Sequence, residues 1–471
     1  MQQPTRDEIL IAPTDPMQPD LDGVMKDLRR VHDSGRTRGL RWREEQLDGI
    51  IAMVTDHERT FADALATDLG RNATDAWLGD LAGVKTEAAY ARKHLRSWAR
   101  KRRQRLPLTQ LPGSGWVQYE PLGTVLVVGP WNYPVMLTLG PLIAALAAGN
   151  CAVVKPSEMA PATSHVLAGL LGRYVDPGAV KVVEGDGATT QALLALGFDH
   201  ALFTGGTEVG RHVLAGAAKT LTPVTLELGG KSPVLITSDA SIAVAARRVA
   251  WTKLMNSGQT CVAPDYVLVD ESIKSDFVDQ LLIAMEEIRN PGEALVPIIN
   301  ERHFDRLCRY LETTTGTVVS GGSYDRQSLK MAPTVIVDPA SDDEVMNDEI
   351  FGPIIPVVSY RSLDDAIAFV NARSKPLAMY VFSESAAVQN AVTDRIPAGG
   401  VVINHVSMHA LVPQLPFGGV GESGMGSYHG RWGFETFSHR KAVLRKGTRV
   451  DPRMMYPPYS ITDLRILRKL F

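Results

Sequence analysis

From Pro121 to Val154 the chain runs for 34 residues without a formal charge. That is longer than a membrane span requires. Pro121, Pro130, Pro134 and Pro141 interrupt it, however, as do Gly123, Gly129, Gly140 and Gly149. Asn132 and Asn150 add amides that lipid would leave unsatisfied. A buried strand (Gly123 to Val128), a loop, a buried helix (Met136 to Ala148) and a second strand (Cys151 to Lys155) fit the stretch better. It therefore reads as one βαβ unit with both faces of its sheet covered.

The alternation continues. Pro161 to Tyr174 reads as helix, Val180 to Val183 as strand, Thr189 to Leu196 as helix, Ala201 to Thr204 as strand and Thr207 to Lys219 as helix. It restarts after Glu227 with strands at Val234 to Ile236 and Asp265 to Val269. Helices are expected at Ser241 to Leu254 and Ile273 to Ile288. Later strands fall at Thr334 to Val337, Pro353 to Ser359 and Ala378 to Phe382. Two doubly wound α/β domains follow, with a break near Gly229-Gly230. Ahead of them, residues 1–20 read as a loose arm and 21–104 as polar helices, with Trp42 to Asp68 carrying apolar residues at helical spacing. Trp116 to Glu120 reads as an extended arm.

At 471 residues the chain is too long for one ordinary core. Apolar content of 45% and charged content of 21% describe a well-buried protein, and a net charge of −3 gives no reason to expect nucleic acid. Cys151, Cys261 and Cys308 are odd in number and far apart, which argues against a disulfide framework and a zinc site and favours a reducing compartment. With Asp7 and Glu8 near the start and no basic-then-apolar signal pattern, cytoplasmic is the default expectation.

Three stretches carry chemistry. Asn256-Ser257-Gly258-Gln259-Thr260-Cys261 sets one cysteine in a loop of small and amide residues. A working thiol needs exposure and polar or electropositive neighbours, whereas a buried free Cys is simply a small apolar side chain. In Leu226-Glu227-Leu228-Gly229-Gly230 a carboxylate between two leucines is partly desolvated, which raises its pKa toward general-base range. The bland alternative is a surface Glu before a glycine turn. Gly129-Pro130-Trp131-Asn132-Tyr133-Pro134 follows a buried strand, where α/β folds place ligand loops, and the Asn132 amide could donate to an oxyanion. Two further segments suit a dinucleotide: Lys155 to Glu158 at a strand end, and the turn Gly205-Gly206 leading through Gly210 into a helix.

Taken together these stretches resemble the NAD(P)-dependent aldehyde dehydrogenase superfamily along nearly the whole chain. The matching motifs are Pro130 to Pro134, Lys155 to Glu158, Phe203 to Gly205, Glu227 to Pro233, Gly258 to Cys261, Asn347 to Pro353 and Pro416 to Gly426. Cys261 to Tyr266, Ser427-Tyr428-His429-Gly430 and Thr436 to His439 resemble its class 3-like branch, which includes fatty-aldehyde and coniferyl-aldehyde dehydrogenases.

The resemblance implies Cys261 as nucleophile, Glu227 as general base, and Asn132 with the Cys261 N–H as oxyanion donors. It implies Lys155 and Glu158 on the adenosine ribose, Gly205, Gly206 and Gly210 beside the cofactor, Glu349 on the nicotinamide ribose, and Trp131 and Phe351 nearby. Many members carry Ser at the position of Gly206, so a hydroxyl contact is not expected there. NAD is expected over NADP because Glu158 would repel a 2′-phosphate, although the branch accepts both. His405 and His409 are expected to flank the substrate mouth or to be structural. No metal is expected.

The implied organisation is a cofactor domain over 1–105 and 122–228 and a catalytic domain over 229–428. A small β oligomerisation arm at 106–121 and a C-terminal segment at 429–471 would join a homodimer. The implied reaction oxidises an aldehyde to its acid. A CoA-acylating enzyme and a non-catalytic structural protein on the same fold are the alternatives. At the C-terminus Ile461, Leu464, Leu467 and Phe471 share a helical face beside Arg465, Arg468 and Lys469. Packing on a subunit is the preferred reading of that face, and contact with a membrane surface the minor one.

Overall fold

The computed structural model describes residues 20–288 and 295–470. The expected arm at the N-terminus, apart from Asp20, and Phe471 lie outside these residues.

The apolar runs pair as the alternation requires. Five parallel strands, Val180–Val182, Cys151–Lys155, Thr124–Val128, His200–Gly205 and Val224–Leu228, stand side by side in that spatial order. Gly424–Met425 adds antiparallel to the outer edge of Val224–Leu228. Every residue of Thr124–Val128 and Cys151–Lys155 is buried. Burying an aliphatic side chain contributes about 1.5–3 kcal/mol, so a strand sealed on both faces needs no alternation. Between these two strands Met136–Ala148 is a helix that is apolar all round and almost wholly buried, closed by Gly149 at φ 92°. The glycine satisfies the left-handed cap without a Cβ penalty.

A second sheet runs Thr317–Ser320, Thr334–Val337, Ile354–Tyr360, Tyr266–Asp270, Pro233–Ile236, Ala378–Phe382 and Gly400–Ile403, parallel except at the Thr317–Ser320 edge. The chain crosses from the first sheet to the second between Leu228 and Pro233. There a Cβ on Gly229 would fall 2.0 Å from a Glu349 carboxyl oxygen, so the bare backbone is what lets the two layers meet. A third sheet joins Arg102–Gln104, Gly113–Pro121 and Ser438–Lys446.

The apolar pattern from Trp42 to Asp68 forms two helices, Leu40–Asp56 and Glu58–Leu69, rather than one. His57, at φ −117° and ψ 26°, breaks the run, because period alone does not register a local turn. The edge strands Thr317–Ser320 and Gly400–Ile403 are short and little buried, and their two or three adjacent apolar residues show no period to read.

Register fixes the site. Val128 pairs with Lys155 on one side and Phe203 on the other, and Phe203 pairs with Leu226. The carboxyl ends of four adjacent strands therefore open along one edge. From it emerge the 129–135 loop, Lys155 to Glu158, the Gly205-Gly206 turn and Glu227. That crevice is where open α/β sheets bind ligands.

Candidate active site

The Cys261 loop is built on strained backbone. Asn256, Ser257 and Gly258 take φ values of 52°, 52° and 73° in succession. Non-glycine residues rarely adopt this region, and such strain persists only where surrounding contacts over-determine it. Here they do. The Asn256 amide donates to the Asn132 carbonyl at 3.2 Å and the Gln259 carbonyl at 3.1 Å. The Gln259 amide nitrogen donates to the Pro297 carbonyl at 3.0 Å, and its oxygen accepts from the Ile299 N–H at 3.0 Å.

Asn132 belongs to the same lattice, donating Nδ2 to the Gln259 carbonyl at 3.1 Å. An amide has two N–H bonds, so the other stays available to an oxyanion. Behind it Arg71, almost fully buried, donates to the Asn132 carbonyl, to Asn256 Oδ1 at 3.2 Å and to Asp80 at 2.6 Å. Asp80 in turn accepts the N–H groups of Val135 at 2.9 Å and Met136 at 2.8 Å, capping the buried helix that follows the loop. Tyr133 stacks under the Arg71 guanidinium and shares a 2.8 Å hydrogen bond with Thr260, next to the cysteine.

The thiol itself is half-buried, and its surroundings differ from the expectation of electropositive neighbours. Burial, then Glu349 and then Glu227 push it up to about 12. Arg71, which reaches this loop through Asn256, is already committed to Asp80. Glu227 is 2% exposed, and burial holds its carboxyl well above 4.5. Neither of its oxygens finds a hydrogen-bond partner among the described residues. Glu349 is raised to about 8, first by burial and then by Asp265, and its Oε1 is also unpartnered among the described residues.

The cofactor-type residues line the same edge. Lys155 Nζ donates to Glu158 at 3.1 Å and to the Gly185 carbonyl at 2.5 Å, and Glu158 is half exposed. A Cβ on Gly206 would meet nothing within 4 Å, so open space lies over the start of the helix Thr207–Ala218. A Cβ on Gly210 would meet Leu228 at 2.6 Å, so this glycine lets the helix pack closely on the strand. Trp131 and Phe351 meet edge to face at 5.5 Å. An unpartnered Glu349 oxygen, open space at Gly206 and an exposed carboxylate on a buried lysine all fit a dinucleotide.

The aldehyde dehydrogenase family profile matches residues 2–443. The chain belongs to the aldehyde dehydrogenase family. It is 41% identical to aldehyde dehydrogenase family 3 member H1 of Arabidopsis thaliana, over 95% of this chain and 94% of that protein. It is 43% identical to the dimeric, NADP-preferring aldehyde dehydrogenase of Rattus norvegicus, over 93% and 98%. The substrate-bound structure of AldH from Staphylococcus aureus superposes with a TM-score of 0.92 at 38% identity, covering 96% of this chain and all of that one. The class 3-like resemblance is thereby borne out, and the protein is an NAD(P)-dependent aldehyde dehydrogenase.

Sequence reasoning missed several residues of this aldehyde dehydrogenase site. Arg71 and Asp80 lie in the polar helical stretch before the alternation begins, and only their buried pairing marks them. Lys253 is fully buried without a hydrogen-bond partner among the described residues, and burial lowers it to about 8. It lies eight residues before Cys261, near the end of the helix Ile242–Leu254. His405 stands against Trp251, whereas His409 sits among Tyr380 and Phe417 and is lowered to about 4 by burial. Among the described residues no cluster of His, Cys, Asp and Glu could hold a metal, and no helix is long and apolar enough to cross a membrane.

Proposed function

We propose that this aldehyde dehydrogenase releases a free carboxylic acid through two covalent intermediates on Cys261. The observation that carries this reading is Glu227, a buried carboxyl on the strand edge that has no hydrogen-bond partner among the described residues. Water is a poor nucleophile at neutral pH and needs a positioned base. A CoA thiol needs far less help, so a CoA-acylating enzyme has little use for such a group.

The Cys261 thiol gives up its proton to solvent as its sulfur attacks the aldehyde carbon, and the second Asn132 N–H with the Cys261 N–H holds the oxyanion that forms. In this reading Lys155 and Glu158 hold the adenosine ribose and Glu349 the nicotinamide ribose, with Trp131 and Phe351, in contact with each other, nearby. The cofactor, when bound, supplies a positively charged ring that accepts hydride from the thiohemiacetal carbon. The oxyanion then collapses to a thioester, and Glu227 draws the proton from the water that hydrolyses it. Before substrate binds, burial first, then Glu349 and Glu227, favour the protonated thiol.

The rat relative is described as dimeric, and the three-stranded arm of this chain leaves the Arg102–Gln104 edge unpaired among the described residues. A homodimer joined through the arm is the assembly we infer. The domain division given above and a cytoplasmic location belong to the same reading. The C-terminal helix Ile461–Leu470 has no buried residue in the single chain, which suits packing on a partner subunit.

Incubation with NAD and a medium-chain or aromatic aldehyde tests the activity. NADH absorbance should rise through many turnovers with the free acid as product. A requirement for CoA beyond one turnover would overturn the hydrolytic reading.

A further inference from the structure

Tyr428 is 1% exposed, and its hydroxyl has no hydrogen-bond partner among the described residues. Buried phenols nearly always find one, so an unpartnered hydroxyl marks a place for a missing partner. The two Glu227 oxygens are in the same condition. Burial first, then Glu227 and Cys261, push the phenol well above its ordinary value. Gly424, four residues earlier, pairs with Glu227 on the neighbouring strand, which brings the Tyr428 segment to the carboxyl.

The ring is held rigidly in that direction. His429 stacks on it at 4.4 Å and Phe417 meets it edge-on at 6.1 Å. The Tyr428 N–H donates to the Phe417 carbonyl at 2.8 Å, and the Phe417 N–H donates back at 3.0 Å. His429 takes φ 83°, a conformation side chains rarely adopt. Its Nδ1 lies 3.2 Å from Glu87, which also accepts the Gly430 N–H, and both side chains are buried. These contacts hold a strained residue stacked against the tyrosine ring.

We propose that Tyr428 and Glu227 together bind the water that hydrolyses the thioester, the phenol holding its oxygen while the carboxylate takes its proton. A buried water ordinarily makes about three hydrogen bonds, and these two side chains supply the protein's share. In the step, the water oxygen bonds the acyl carbon and the C–S bond breaks. Cys261 leaves as thiolate, and the water proton passes to Glu227. The proposal rests on Glu227 being the deacylation base.

Tyr428→Phe tests it, because the ring and its packing stay while the hydroxyl goes. The melting temperature should not fall, since the group removed has no partner among the described residues. In rapid-mixing experiments the burst of NADH, one equivalent per site, should keep its rate and amplitude. Steady-state turnover should drop about tenfold or more. Hydroxylamine, which attacks a thioester without a base, should restore turnover toward the wild-type value, a rescue that a merely structural role would not give. Steady-state turnover within twofold of wild type, or a burst slowed in parallel with turnover, would overturn the water site. Glu227→Gln in the same assay separates the two ideas. If it stalls after the burst while Tyr428→Phe runs as wild type, only the water site fails. If it turns over normally, the base assignment fails as well.

Discussion

Around Asn132 the buried polar groups close on one another. Its carbonyl accepts from Arg71 and Asn256, its amide donates to Gln259, and Arg71 is neutralised by an Asp80 that also caps a helix. Around Glu227 they do not close: both of its oxygens, the Tyr428 hydroxyl and one Glu349 oxygen are buried without partners among the described residues. Unsatisfied buried groups cost about 1–3 kcal/mol each. The fold carries that cost on one side of Cys261 and avoids it on the other. The satisfied side is rigid before any ligand arrives, as an oxyanion site must be if it is to need no reorganisation. In the function proposed above, the unsatisfied side is the one left to water and cofactor.

Removing the atom between the two sides has the largest expected effect. Cys261→Ser should lower turnover by at least about three orders of magnitude, because a hydroxyl of far higher pKa replaces the thiol. Cofactor binding, followed by fluorescence, should be nearly unchanged. Turnover near wild type would mean that the sulfur is not the nucleophile.

Breaking the satisfied side comes next. Arg71→Met leaves Asp80 buried and unpaired, a change that costs about 3–5 kcal/mol in comparable sites. Denaturant unfolding should show the loss, and the Asn132 carbonyl loses its charged donor at the same time. Unchanged stability would show that the lattice behind the oxyanion site carries little energy.

The smallest effect sharpens the other side. Glu349 has its carboxyl raised from 4.5 to about 8, so the folded chain holds a proton that the unfolded chain releases. Its contribution to stability is present below about pH 4.5 and is lost as pH rises through about 8. Glu349→Gln keeps a neutral group there, so cofactor-free Glu349→Gln should lose less melting temperature than wild type across that window. Parallel curves would show that Glu349 is ionised in the fold already.

Most of the first sheet was legible because its strands are sealed on both faces and read as unbroken apolar runs. Thr124–Val128 and Cys151–Lys155 are cases in point. Edge strands such as Thr317–Ser320 were not, since exposed residues leave no periodic constraint. At the site, Cys261, Glu227 and Asn132 stood out because each is a reactive or amide group in a loop or strand end. Arg71 and Asp80 escaped because their importance lies in burial and in contacts with distant residues such as Asn132, Val135 and Asn256, which local sequence does not report. The carboxyl-rich setting of Cys261 was also invisible, for it depends on Glu349 folding back over Gly229.

The central claim is that the unpartnered Glu227 is there to activate water. Glu227→Gln mixed rapidly with saturating NAD and aldehyde tests this most directly, because it keeps the shape and removes the base. The account predicts a burst of one NADH per site, a thioester trapped on Cys261 and detectable by mass spectrometry, and almost no turnover afterwards. Continued turnover at the wild-type rate, with no trapped acyl group, would contradict it.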